Sequence, residues 1–180
     1  MPANVVDWVL VELRDMVSQD VVSQRAALLT ADGDIVDLDG VSPVVFYATP
    51  DIYYVSVRHR NHLDIISTGT VDFTGGSGTI DLAGQATGQV EVETGVYAMY
   101  MGDVTGDQLV KYNGSNNDRV AILIAVGIAT PNNILANTYH PGDVNMDGQV
   151  KYNGANNDKN AILSVVGLTT PNNIIVGLLY

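Results

Sequence analysis

Two hydrophobic rhythms divide the chain. Up to about residue 100, apolar positions come in short β-branched or alternating runs. Beyond that point, two longer runs carry helical spacing. In the first part, residues 4–14 (Asn-Val-Val-Asp-Trp-Val-Leu-Val-Glu-Leu-Arg) predict a strand, and Val21 to Leu29 predict a second. Ala31-Asp32-Gly33-Asp34 predicts a hairpin turn, with Asp-Gly supplying positive φ, and Ile35 to Leu38 the returning strand. Val44 to Tyr47 reads as a short strand before a turn at Pro50-Asp51. Ile52 to Arg60 is the clearest strand, with Tyr53, Val55 and Val57 on one side and Tyr54, Ser56 and Arg58 on the other. Leu63 to Ser67 follows. Gly75 to Gly78 reads as a flexible loop, and Val90 to Glu93 alternates as one more strand. Short strands at this spacing predict an antiparallel sandwich.

The second part is a duplication. Shifting by forty aligns 102–134 with 142–174 without a gap, and 22 of 33 positions are identical. Each copy opens with oxygen-bearing side chains at alternate positions: Asp143, Asn145 and Asp147 in the second, Asp103, Thr105 and Asp107 in the first. That is the first half of an EF-hand-type calcium loop, because calcium takes six to eight oxygens and a chain offering one at every second residue can wrap around it. Gly148 supplies the turn at the sixth position, and the Gln149 carbonyl follows at the seventh. The twelfth position, normally a bidentate carboxylate, is Gly114 or Gly154; the next carboxylates are Asp118 and Asp158, four residues on. Each opens an apolar helical run ending at Gly127 or Gly167. Copy one carries Val120 and Ile124 where copy two has Asn160 and Ser164. The first helix is thus apolar nearly all round and is expected to be buried on two sides.

The Asp143-Val-Asn-Met-Asp-Gly-Gln-Val150 run and its duplication resemble the dockerin family over about 102–175. The Lys-Tyr-Asn-Gly-x-Asn-Asn-Asp variant also looks like repeats near the C-termini of large secreted bacterial surface proteins. The resemblance implies two calcium ions. Their ligands would be Asp103, Thr105, Asp107, the Leu109 carbonyl and Asp118 in one loop, and Asp143, Asn145, Asp147, the Gln149 carbonyl and Asp158 in the other. Loop two is expected to bind more tightly, because loop one has Gln108 in place of the turn glycine and uses the neutral Thr105. The first part is similar to the prealbumin-like or fibronectin-like sandwich modules that accompany dockerins.

Composition narrows the function. The formal net charge of −12 disfavours nucleic acid and anionic membrane as partners. There is no cysteine, hence no disulfide, thiolate metal site or cysteine nucleophile. No stretch reaches the length of a membrane helix. No secretory leader is legible, so an extracellular assignment implies a mature form or a fragment. His59, His62 and His140 read as strand-edge polar residues, the Asp32–Asp39 cluster as a solvated turn, and Trp8 and Tyr53 as core. No catalytic motif stands out.

The expected architecture is mainly β: an antiparallel β-sandwich over 1–100, then a small dockerin-like α domain over 101–180 with two calcium loops and a C-terminal strand. The expected function is a non-enzymatic, extracellular, calcium-binding structural or adhesive module of the bacterial cell surface. Self-association into a filament by strand addition, or binding of another extracellular protein, would follow from the apolar runs at 5–11 and 174–180. The alternatives are a dockerin module that binds a cohesin-like partner and a carbohydrate-binding accessory module of a secreted enzyme.

Overall fold

A computed structural model of the chain describes residues 4–178. It divides into two compact units: the residues up to His59 with Asp64–Ala98, and Arg60–Leu63 with the chain from Met99 onward. The division differs from a cut at residue 100, because the Arg60–Leu63 segment belongs with the repeats.

The first unit is a curled antiparallel sheet. Its strands are β1 (Val5–Asp15), β2 (Val21–Thr30), β3 (Ile35–Val36), β4 (Ile52–Arg58), β5 (Ile65–Ser67), β6 (Val71–Asp72) and β7 (Ala86–Thr87). The order is β3-β2-β1-β4-β5-β7, with β6 also pairing with β4. β8 (Gln89–Glu93) and β9 (Val96–Met99) form a separate pair. Alternation places Val9, Val11 and Leu13 of β1, and Tyr53, Val55 and Val57 of β4, in the core. The opposite faces of these central strands bury a polar centre at Glu12, Arg14 and Ser56, while Trp8 and Arg58 stay exposed. Glu12 pairs in register with Ser56, and its Oε2 accepts from Ser56 Oγ at 2.9 Å and from Arg14 Nη2 at 2.6 Å. Arg58 Nε reaches Asp64 Oδ2 at 2.9 Å. A charged network thus occupies the middle of the sheet.

Several expectations change here. Val44 to Tyr47 forms no strand: Pro43 lacks an N–H, and Tyr47 is 85% exposed. Trp8 is 40% exposed rather than core, whereas Tyr53 is buried as expected. His59 is no edge residue; its side chain is buried and its Nε2 lies 3.0 Å from Asp7 Oδ2. Among the Asp32–Asp39 carboxylates, Asp37 meets Arg25 at 3.4 Å and Asp39 closes a turn on the Ser42 N–H and hydroxyl.

The second unit contains β10 (Leu109–Lys111), α1 (Asp118–Val126), β11 (Ile134–Ala136), β12 (Gln149–Lys151), α2 (Asp158–Val166) and β13 (Ile174–Val176). Both helices begin the same way. Asn117 and Asn157 cap them, each side-chain oxygen accepting at 3.0 Å from the N–H three residues on. Asp118 and Asp158 add negative charge to the first turn. Both helices stop at a glycine, Gly127 at φ 107° and Gly167 at φ 105°.

The strand after each helix pairs with the loop strand of the other repeat. β11 runs antiparallel to β12, with Leu135 opposite Val150, and β13 to β10, with Ile175 opposite Val110. The two repeats are thereby locked into one body. Its core is built of matched pairs: Val110 and Val150, Ile122 and Ile162, Val126 and Val166. Leu63, carried in by the Arg60–Leu63 segment, joins them at 1% exposure. Burying each of these isoleucines contributes about 1.5–3 kcal/mol. The C-terminal strand therefore pairs within the repeat unit; residues 179–180 lie outside the described residues. The first helix is not buried on two sides. Its inward face is Ile122 and Val126, while Val120 is 38% and Ile124 61% exposed.

Candidate metal centre in the paired loops

The two loops share one hydrogen-bond plan, dictated by the carboxylates at their first position and at the helix start. Asp118 is fully buried. Its Oδ1 accepts from the N–H of Val104 at 2.8 Å and of Thr105 at 3.1 Å, and its Oδ2 from the N–H of Lys111 at 2.8 Å. Asp158 repeats this with Val144, Asn145 and Lys151 at 2.7, 3.3 and 2.7 Å. The Asn-Gly turn and the helix start thus bring the third carboxylate of each repeat back onto its own loop. Thr105 Oγ1 also reaches Asp118 Oδ1 at 3.2 Å.

The first-position aspartates lie equally deep. Asp103 Oδ1 accepts from Asp107 N–H and Oδ2 from Gln108 N–H, both at 3.0 Å. Asp143 Oδ2 accepts from Gly148 N–H at 3.1 Å, but Asp143 Oδ1 is buried without a hydrogen-bond partner. The Asp147 N–H lies near enough to favour the ionised form of Asp143, yet it closes its bond on Asn145 Oδ1 at 3.0 Å. Asn145 also gives its Nδ2 to the Asn156 carbonyl, at 2.9 Å. Leu109 and Gln149 open β10 and β12, so their carbonyls belong to strand residues.

Electrostatics follow from this packing. Burial pushes Asp118 up to about 6, with Asp103 adding to the rise against the pull of the Lys111 and Thr105 N–H groups. Burial likewise raises Asp103, Asp143 and Asp158. Asp107 adds repulsion to Asp103, Asp147 to Asp143, and Asp143 to Asp158, so the carboxylates of each loop feel one another. Asp107 is lowered instead: burial acts upward, but hydrogen bonds from Lys111 and Thr105 and the Lys111 charge outweigh it.

The donor set is all oxygen and suits a hard cation. As the side chains stand, no group of three or more carboxylates or histidines among the described residues is gathered closely enough to hold a metal ion. The fit therefore rests on the unpartnered Asp143 oxygen and on the mutual repulsion of the buried aspartates.

No protein-family model, curated protein or solved structure matches this chain.

Two features of the site were missed in the sequence. The first is the Arg60–Leu63 segment. Asn61, fully buried, donates from Nδ2 to the carbonyls of Pro141 and Asp143 at 2.8 and 2.7 Å, while its own carbonyl accepts from Gly102 N–H at 2.8 Å. Arg60 Nη2 lies 3.7 Å from Asp143 Oδ2, with its guanidinium over the Tyr139 ring. Nothing local in Arg-Asn-His-Leu marks it as part of a loop eighty residues away. The second is the backbone at the fourth loop position. Gly106 and Met146 both have positive φ there, as do Gln108 and Gly148 at the sixth. Each loop therefore holds one glycine and one strained residue, which removes the backbone reason for expecting loop two to bind more tightly.

Proposed function

We propose that this chain is a non-enzymatic, calcium-stabilised structural or adhesive module of the extracellular bacterial surface, with one ion in each repeat. The observation that carries the reading is Asp143 Oδ1, a carboxylate oxygen buried without a partner inside a duplicated, all-oxygen loop. Asp103, Thr105, Asp107, the Leu109 carbonyl and Asp118 would hold one ion. Asp143, Asn145, Asp147, the Gln149 carbonyl and Asp158 would hold the other. Bound calcium supplies the positive charge that offsets clustered carboxylates, and extracellular sites work at 10⁻⁴–10⁻³ M. An ion that binds only the folded state adds about 2.7 kcal/mol at a hundredfold excess over Kd. The dockerin-like motif and a sandwich-like reading of the curled sheet support the same class of secreted module. Among the described residues no helix is long and apolar enough to cross a membrane.

Val120 and Ile124, exposed on α1 where α2 carries Asn160 and Ser164, favour an extracellular protein as partner. Self-association by donation of the C-terminal strand requires Ile174–Val176 to leave β10 first. Titration calorimetry on chelator-stripped protein tests the central reading. Two calcium ions per chain and a melting temperature that rises with calcium are expected. Absence of binding heat together with an unmoved melt would sink it.

A further inference from the structure

One residue recurs in both loops and enters neither ligand set: Lys111, and forty positions on, Lys151. Each stands at the ninth loop position, where EF-hand loops often reach the ion through a water. Their side chains are only 10% and 11% exposed. Lys111 Nζ lies 2.9 Å from Asp107 Oδ2, and Lys151 Nζ 2.7 Å from Asp147 Oδ2. The backbone N–H of the same lysines donates to Asp118 Oδ2 at 2.8 Å and to Asp158 Oδ2 at 2.7 Å. A single residue thus grips two carboxylates of its loop, one with its main chain and one with its ammonium.

An ammonium so far out of water is costly unless its charge is answered. Here it is answered by the carboxylate that the metal reading assigns as a fifth-position ligand. We propose that Lys111 and Lys151 are resident cations, which keep the loops folded without metal and compete with calcium for Asp107 and Asp147. The competition half rests on the calcium reading above; the folding half does not. Loops of this kind bind calcium loosely and do not collapse when it leaves. They suit a module exposed to changing calcium.

The test uses the full chain with Lys111→Met and Lys151→Met together, which keeps the apolar stems. In chelator, the variant should melt at least about 5 °C below the parent. Millimolar calcium should restore the melt, with a binding midpoint roughly tenfold tighter than the parent's, because one nearby positive charge is gone. A variant that folds only with calcium is the extreme form of that result. Adding Asp107→Asn and Asp147→Asn completes a double-mutant cycle, and the lysine substitutions should then cost far less in chelator. An undiminished cost would show that the stems act by packing and would overturn the proposal, as would a chelated lysine variant that melts with the parent. Restoration by calcium with an unchanged midpoint overturns the competition. A loss that calcium does not restore, but that the cycle assigns to charge, leaves the resident cation standing and removes the calcium reading instead.

Discussion

The two loops have the same fold and different electrostatics. Loop one satisfies both oxygens of its first aspartate with backbone N–H groups. Loop two leaves one oxygen of Asp143 without a partner and sets Arg60 beside the other. Part of the cause lies inside the repeats: Asn145, which stands where loop one has Thr105, takes the Asp147 N–H, whereas the equivalent Asp107 N–H serves Asp103. Asn61 also fixes the Pro141 and Asp143 carbonyls with its side chain, which ties the entrance of loop two to the Arg60–Leu63 segment, while its main-chain carbonyl takes the Gly102 N–H at the entrance of loop one. A duplication copied the loop; substitutions within it and a segment outside it made the copies unequal. The lesson is that near-identical loops do not make identical sites when one ligand position differs and a charge stands beside the first aspartate of one copy.

The largest expected consequence is on pH dependence. Asp118 stands near 6 in the folded chain against 3.8 for an ordinary aspartate. A carboxyl whose pKa is higher folded than unfolded binds its proton more tightly in the folded state. Stability therefore falls as pH rises from 3.8 to about 6, and above that the full cost of the buried charge is present. The difference corresponds to on the order of 3 kcal/mol for this group. Metal-free protein should resist urea better at pH 5 than at pH 7, and Asp118→Asn should remove much of that dependence. On the calcium reading, added calcium should reverse the trend, because its ligands must be deprotonated. Metal-free stability that rises between pH 5 and pH 7 in the parent, with Asp118→Asn leaving the slope unaltered, would refute the electrostatic account of the loops.

A pair of amide substitutions sharpens the comparison. In Asp103→Asn the new Nδ2 faces a backbone N–H, because both carboxylate oxygens were acceptors. A lost hydrogen bond to a charged group with a donor left unpaired costs about 1.5–3 kcal/mol. In Asp143→Asn the Nδ2 can take the place of the unpartnered oxygen, while the other oxygen keeps the Gly148 N–H. That substitution gives up the Arg60 charge but relieves the burial of an unpartnered carboxylate oxygen, so it should cost clearly less than Asp103→Asn in chelator, although both variants should lose a calcium ion. Equal destabilisation of the two in chemical denaturation would mean that the loops are electrostatically alike after all.

Much of this was legible beforehand, and for local reasons. The helices at 118–126 and 158–166 follow from an Asn cap, an Asp at the first helical position and an apolar stripe. The loop residues follow from alternation and from the forty-residue shift. What was illegible depends on distant partners. Val44 to Tyr47 has strand composition but finds no edge to pair with. Ile174–Val176 looks like a strand, yet nothing in its sequence says that β10 receives it. Ile124 looks like core because its helix is apolar all round, but only the Ile122–Val126 face has a neighbour. The lysines did leave a trace, since Lys111 and Lys151 survive the duplication in register; their direction toward Asp107 and Asp147 needed the fold.

The smallest effect concerns the backbone. Each loop needs left-handed conformations at its fourth and sixth positions, and each supplies a glycine at only one of them. Gln108 sits at φ 59° and Met146 at φ 58°, opposite Gly148 at 79° and Gly106 at 70°. A side chain in this region costs about 1 kcal/mol relative to glycine, the two loops bear it at exchanged positions, and the costs should cancel between them. A Cβ added at Gly106 or Gly148 meets nothing within 4 Å, so φ is the whole penalty there. Gln108→Gly and Met146→Gly should each stabilise the metal-free protein by up to about 1 kcal/mol, whereas Gly106→Ala and Gly148→Ala should each cost a similar amount. If urea titration finds Gln108→Gly strongly stabilising and Met146→Gly inert, the strain is concentrated in loop one. The older expectation of a tighter loop two would then regain its backbone argument.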